Sequence, residues 1–335
     1  MTENTTQFYL LTQGLALLTL IAVLVLGLLP ALLSGFLIYY LVKSGGRFFS
    51  QGNISQTKGR FMALSLLTLV LVSILTLGVT ASASYFTDGQ GSLVILFRRM
   101  ADIVAKGRDY LPDWIRQYLP ANLQEWQVAT AGWLRENAGR FSVFGQEVGI
   151  FLVHIFIGMI IGGLIALNPG FQETRGPLAQ ALAERVSFLG TAFRRIVFSQ
   201  IRISALNTVL TAFFIAIILP MAGYPLPLTK TMIAVTFIVG LLPIIGNLIS
   251  NTVITLIALS VAPIAAFVSL LFLVIIHKLE YFINAHIIGT RIKAQAWELL
   301  IIMLVMESVF GIPGVVAAPI YYAYLKDELS AQKLI

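Results

Sequence analysis

Long apolar runs, broken at only a few places, dominate the chain. Phe8–Leu29 supplies the roughly 20 apolar residues that one helical membrane crossing needs. Pro30 then opens a second run, Ala31–Val42, that continues towards Phe49, so Leu28-Leu29-Pro30 predicts a tight helical hairpin. Phe61–Tyr85 and Val143–Leu167 read as third and fourth spans, and Ile201–Leu219, entered through Gln200, Arg202 and Asn207, as the next. Between them, Leu178, Leu182, Val186, Leu189, Phe193 and Val197 step by three and four. That spacing predicts an amphipathic helix within Pro169–Ser199, lying on the membrane or docked on the bundle. Residues 86–142 differ. Helical spacing at Leu93, Leu96, Phe97, Met100, Ile103 and Val104, and again at Leu123, Trp126, Trp133 and Leu134, predicts an external helical cap with its tryptophans at the interface.

The last third is interrupted in a different way. Pro243-Ile-Ile-Gly246 breaks Met232–Leu259, and Gly311-Ile-Pro-Gly314, followed by Pro319, breaks Trp297–Leu325. Unpaired backbone groups are costly in hydrocarbon, so a broken helix at membrane depth survives only packed in protein or lining a wet cavity. Paired interrupted segments are also the best sequence pointer to a transport site. Met232–Leu242 and Leu248–Leu259 have 11 and 12 residues, about 17 Å each at helical rise and too short to cross. Reading them as a re-entrant hairpin lets Ile264–Ile276 lead inward and puts Lys278, Arg291 and Lys293 in the cytoplasm. Trp297–Phe310 and Val315–Leu325 then form a second hairpin, and both termini are cytoplasmic. The division expected is 1–85, three spans; 86–142, the cap; 143–199, the fourth span and amphipathic helix; and 200–335, a core with the broken hairpins.

Composition sharpens this. Of 335 residues, 58% are hydrophobic and 11% charged, against about 25% charged in soluble domains, and the mean hydropathy is +0.89. The net charge of +7 does not point to nucleic acid, because basic residues gather in short loops beside apolar runs. Lys43, Arg47, Lys58 and Arg60 share the stretch 43–60 with no acid, which places it in the cytoplasm. Cysteine is absent, which removes disulfides and thiolate chemistry. No glycine loop with lysine suggests nucleotide hydrolysis, His277 and His286 lack metal-site spacing, and no nucleophile–base pair suggests an enzyme. No cofactor is expected. Gly158-x-x-x-Gly162-Gly163 allows close helix approach, within one subunit or between subunits.

Candidate chemistry follows from polar residues in apolar surroundings, where charge costs about 2.5 kcal/mol or more. Glu280, two residues after Lys278, suits a cation ligand or proton relay, or an interfacial ion pair that fixes the loop. Asn247 and Asn251, four apart, share one helical face. They suit hydrogen bonding to a polar solute or an ion, or helix capping and interhelical bonding. Glu298 and Glu307, nine apart, point opposite ways. Glu307, near Gly311, is the better pathway residue, and Glu298 is expected near the interface.

Pro243-x-x-Gly246, Leu279-Glu280 leading to Ile288-Gly289, Gly311-x-x-Gly314 with Pro319, and the segment Gln200–Asn207 together resemble the autoinducer-2 exporter family of bacterial permeases, the PerM-like permeases. The order of spans resembles theirs as well. The chain departs in having Thr252-Val253 and Ala285 where the family often has proline. The resemblance implies a homo-oligomeric, pentameric protein of the bacterial inner membrane. It also implies export of the furanone signal autoinducer-2 or, for some members, sodium/proton antiport. The expected protein is therefore an all-α polytopic membrane protein with five to six spans and two re-entrant hairpins. It exports a small polar solute under an ion gradient; the alternatives are antiport, or a passive oligomeric channel or scaffold. The pathway residues are Glu280, Asn247, Asn251, Glu307, Asn207 and Lys278. The hinge residues are Pro243, Gly246, Gly289, Gly311, Gly314 and Pro319.

Overall fold

A computed structural model describes residues 3–50, 54–87, 138–168, 176–242, 245–287 and 295–334. All regular structure among them is helical. The expected cap falls almost wholly outside the described residues, as do Pro243 and Gly289. Two compact units form, one from residues 1–73, 146–199 and 289–335, the other from 74–145 and 200–288. Among the described residues, three helical segments are long and apolar enough to cross a membrane: Phe8–Val25, Gln146–Leu167 and Pro177–Met221.

In the first unit, α1 (Glu3–Val25) and α2 (Leu29–Phe49) form the expected hairpin. The turn is set by Gly27, whose φ of +66° suits glycine. Its N–H donates to Leu24 and that of Leu28 to Val23, which satisfies the carbonyls at the end of α1. Pro30 lies in the first turn of α2, where a missing N–H costs nothing. The helices α3 (Gln56–Thr87) and α4 (Ala138–Leu167) follow, in this unit up to residue 73 and from residue 146. The small residues of α4 pack within the subunit. A Cβ on Gly158 would lie 2.1 Å from the Ala31 carbonyl oxygen, and one on Gly162 the same distance from that of Gly35. Ser34 Oγ donates to the Ile155 carbonyl across this contact. Elsewhere the apolar surface faces outward. Leu10, Leu11, Leu17 and Leu18 of α1 and Ile157, Ile160, Ile161 and Leu164 of α4 are 46–66% exposed. Such stripes suit lipid, and water-soluble monomers rarely carry them.

The amphipathic helix and the next span are one continuous helix, α5 (Pro177–Phe213), instead of two elements meeting near Ser199. Gln200 and Arg202 add polar groups to its surface without interrupting the backbone ladder. The helix widens into a π turn at Phe214–Ile218 before closing at Leu219–Met221. Pro220 explains the widening: it has no N–H, and its ring would meet the carbonyl four residues back. Gly223, at φ +88°, ends the segment as Gly27 ends α1.

The second unit then contains α6 (Thr229–Gly240), α7 (Ile245–Leu259) and α8 (Pro263–Ile287). Phe214, Ile215, Met232, Ile254, Ala258, Ala265 and Leu273 make its core, with Phe214 and Phe272 stacked 3.9 Å apart. The expected break between α6 and α7 is present. A Cβ on Gly246 would lie 2.1 Å from the Val239 carbonyl oxygen, so only glycine permits the approach. α8 does not stop at Ile276 but carries the polar segment onward as helix to Ile287.

Back in the first unit, α9 (Ala296–Phe310) and α10 (Ile312–Ala331) form the other broken pair. The break is a single residue, Gly311, with φ +64° and ψ −145°, a region essentially closed to other residues. Gly314 packs against the Met306 carbonyl, where a Cβ would sit 2.0 Å away. Pro319 is not part of the break. It is buried inside α10, which continues through it.

Candidate functional site

The break after α6 leaves four carbonyls without helical donors, the normal cost of a helix end. Each finds a partner in the protein. Leu241 and Leu242 donate their N–H groups to Ile238 and Val239 at 3.2 and 2.9 Å. Ser204 Oγ donates to Phe237 at 2.7 Å, and Gln200 Nε2 to Gly240 at 2.8 Å. Gln200 and Ser204 thus explain why the polar entry to this part of α5 is needed: they cap α6. These two bonds also set direction, since α6 must run antiparallel to α5. α7, folding back on α6, runs parallel to α5.

One turn beyond Ser204, the buried Asn207 donates from Nδ2 to Asn247 Oδ1 at 2.9 Å. The structure therefore brings together two of the expected pathway residues. Asn251 lies half-buried one turn further along α7. Further along the same two helices lie Thr208 and Thr211 on α5 and Asn251 and Thr255 on α7.

Their hydroxyls are unusual for this chain. Thr19, Thr80, Thr191, Thr236 and Thr252 each donate to the carbonyl four residues back, the usual way to satisfy a threonine in an apolar helix. Thr208, Thr211 and Thr255 have buried Oγ1 atoms with no partner, as does Ser269 Oγ on α8. A buried hydroxyl without a partner costs about 1–3 kcal/mol. The Asn207–Asn247 bond thus ties together two helices that also carry buried hydroxyls without a partner, and a π turn, a kind of irregularity often found at functional sites, follows in α5 at Phe214–Ile218. Such amides and hydroxyls can hydrogen-bond a neutral polar group.

Of the other expected residues, Lys278 is exposed on α8, and Glu280 is helical on the same element, its side chain lying outside the described residues. Glu307 is exposed on α9, and only its carbonyl is engaged, accepting the Gly311 N–H at 2.7 Å. Glu298 is a helix cap. It closes a capping box with Gln295 at the open end of the hairpin and accepts hydrogen bonds from Tyr322 Oη and Lys326 Nζ, both at 2.7 Å. The Lys326 ammonium, then the Tyr322 hydroxyl, hold its carboxyl below the ordinary range, and Glu298 in turn raises Lys326.

Sequence reading missed a second polar cluster, in the first unit. Arg185 and Glu328 form an ion pair with side chains only 4% and 6% exposed. Gln13 Nε2 donates to the same Glu328 oxygen at 3.4 Å, and Glu184 accepts from Arg185 at 2.9 Å. The guanidinium lies 5.2 Å from the Tyr9 ring centre and 5.4 Å from that of Phe188. Arg195 pairs with Asp327 nearby. The available signal was register: Arg185 falls in the apolar stripe between Leu182 and Leu189, and Glu328 follows Tyr321 and Tyr324 on one face of α10.

An all-helical fold among the described residues, with three helical segments of crossing length and composition, fits one class: the helical membrane proteins. The chain matches no protein-family model, no curated protein and no solved structure.

Proposed function

We propose that the protein is a transporter of the bacterial inner membrane that moves a small polar solute along the seam of α5 and α7. In this reading the long helices supply five to six spans, the two broken pairs are re-entrant, and both termini are cytoplasmic. The subunits form a homo-oligomer, a pentamer by the family resemblance. The observation that carries the proposal is the set of unpartnered buried hydroxyls on the two helices that the Asn207–Asn247 pair joins. The breaks themselves weigh less, because Gln200, Ser204 and neighbouring amides already satisfy the carbonyls freed at α6. Glu280 is the coupling group, and an autoinducer-2-like signal leaving the cell under an ion gradient is the preferred cargo.

The test is flux in proteoliposomes, using autoinducer-2 and labelled sodium with and without an imposed proton gradient. Thr211→Val and Thr255→Val keep shape and remove only the hydroxyl. They are expected to leave melting unchanged or raised while flux falls at least tenfold. Glu280→Gln is expected to abolish gradient coupling with insertion intact. Wild-type flux in all three variants would sink the proposal. Flux indifferent to the gradient would indicate a passive channel, and sodium–proton exchange without solute would indicate an antiporter.

A further inference from the structure

The end of α2 and the start of α3 enclose a cavity of about 100 Å³ lined by Lys43, Gly46, Arg47, Gln56 and Arg60. Lys43, Gly46 and Arg47 occupy one turn of α2, and Gln56 and Arg60 one face of α3. Glycine contacts hold these faces together: a Cβ on Gly46 would lie 2.6 Å from Arg60 Cγ, and one on Gly59 2.6 Å from the Gly46 carbonyl oxygen. Three cations therefore share one small space. No Asp or Glu occurs between Glu3 and Asp88, and among the described residues the fixed contacts of these cations are neutral. Lys43 Nζ donates to Tyr39 Oη at 3.3 Å, and Arg60 Nη1 to the Ala166 carbonyl at 3.3 Å. Gathering like charges without a carboxylate is unfavourable unless an anion joins them. Arginine and lysine donors around a small cavity suit the tetrahedral oxygens of a phosphate.

The flanks favour one source of that phosphate. Phe48 and Phe61, next in sequence to Arg47 and Arg60, are 69% and 62% exposed, and Ile54 and Met62 are also exposed. Basic groups bordered by outward aromatic and aliphatic side chains match the boundary between headgroups and acyl chains.

We infer that this cavity is a binding site for a phosphate anion, supplied by the headgroup of an anionic lipid whose chains lie along Phe48, Ile54, Phe61 and Met62. The site is independent of the transport seam. The test measures retention of phosphatidylglycerol against phosphatidylcholine by the full chain in neutral detergent, by native mass spectrometry. Removing one lining charge should weaken phosphatidylglycerol binding about fivefold, and Lys43→Gln with Arg47→Gln together about twenty-fivefold. Arg47→Lys should retain most of it, and Lys58→Gln, an exposed charge outside the cavity, should change little. Melting without added lipid checks that the variants fold. Displacement of the lipid by millimolar inorganic phosphate would support the same site with a free anion as occupant. Wild-type retention by the double variant, or an equal loss in Lys58→Gln, would overturn the inference.

Discussion

The buried pair Arg185–Glu328 makes an asymmetric demand on stability that a double-mutant cycle can read. Replacing Arg185 by Met leaves the buried Glu328 carboxylate without a cation, served by Gln13 at 3.4 Å and the Tyr324 hydroxyl alone among the described residues. Replacing Glu328 by Leu leaves Arg185 with the Glu184 carboxylate at 2.9 Å and the faces of Tyr9 and Phe188. An orphaned buried charge costs about 3–5 kcal/mol. Arg185→Met should approach the upper figure, and Glu328→Leu should fall clearly below it. Replacing both by apolar residues of similar volume removes the orphan altogether and is often neutral or stabilising by about 1–4 kcal/mol. The double variant should therefore be more stable than either single, with a coupling of at least about 3 kcal/mol, at the upper end for interacting pairs. Thermal unfolding of the detergent-solubilised chain, followed by fluorescence, gives the order directly. Additive single effects, or a Glu328→Leu variant weaker than Arg185→Met, would refute the assignment of the pair as a sealed charge contact.

Gly246→Ala and Gly314→Ala each drive a methyl into a backbone carbonyl, 2.1 and 2.0 Å away. Overpacking of this kind costs about 1–3 kcal/mol or more. Gly14→Ala, with nothing within 4 Å, should gain up to about 1 kcal/mol of helix propensity; opposite shifts in melting temperature check this. Gln200→Leu should expose the Gly240 carbonyl and speed amide exchange at the Leu241–Leu242 break, while leaving exchange along α9 unaltered. At the open end of the α9–α10 hairpin, the Glu298–Lys326 contact contributes fully at neutral pH. Its contribution is lost as pH falls through the folded pKa of Glu298, which lies below the ordinary 4.5. It is lost again as pH rises through that of Lys326, above the ordinary 10.5. Melting of wild type should therefore drop at the acid end, and the drop should be smaller in Glu298→Gln, where the Arg185–Glu328 and Arg195–Asp327 pairs still respond to acid.

What the sequence made legible was the backbone's need for partners, and what it hid was which partners would come. Apolar runs located α1 through α4 as helices, and of these α1 and α4 hold segments long and apolar enough to cross a membrane. Glycine and proline located the breaks at Gly246 and Gly311, since each position requires either a missing Cβ or a forbidden dihedral. The same punctuation misled at Pro319, because a proline inside a packed helix removes one hydrogen bond without ending the helix. It also misled near Ser199, where a change of polarity looked like a boundary. Gln200 and Ser204 are polar there because they serve carbonyls forty and thirty-three residues away, a distance no local pattern reveals. Asn207 and Asn247 were visible as polar outliers, but their pairing was not. Arg185 was least visible: its charge suggested a solvated face, and the predicted stripe did not mark the buried side, since its members Leu178 and Val186 are 40% and 58% exposed while Arg185 beside them is buried. A charged residue at a core position signals a partner to be found, and here that partner, Glu328, lies 143 residues further along the chain.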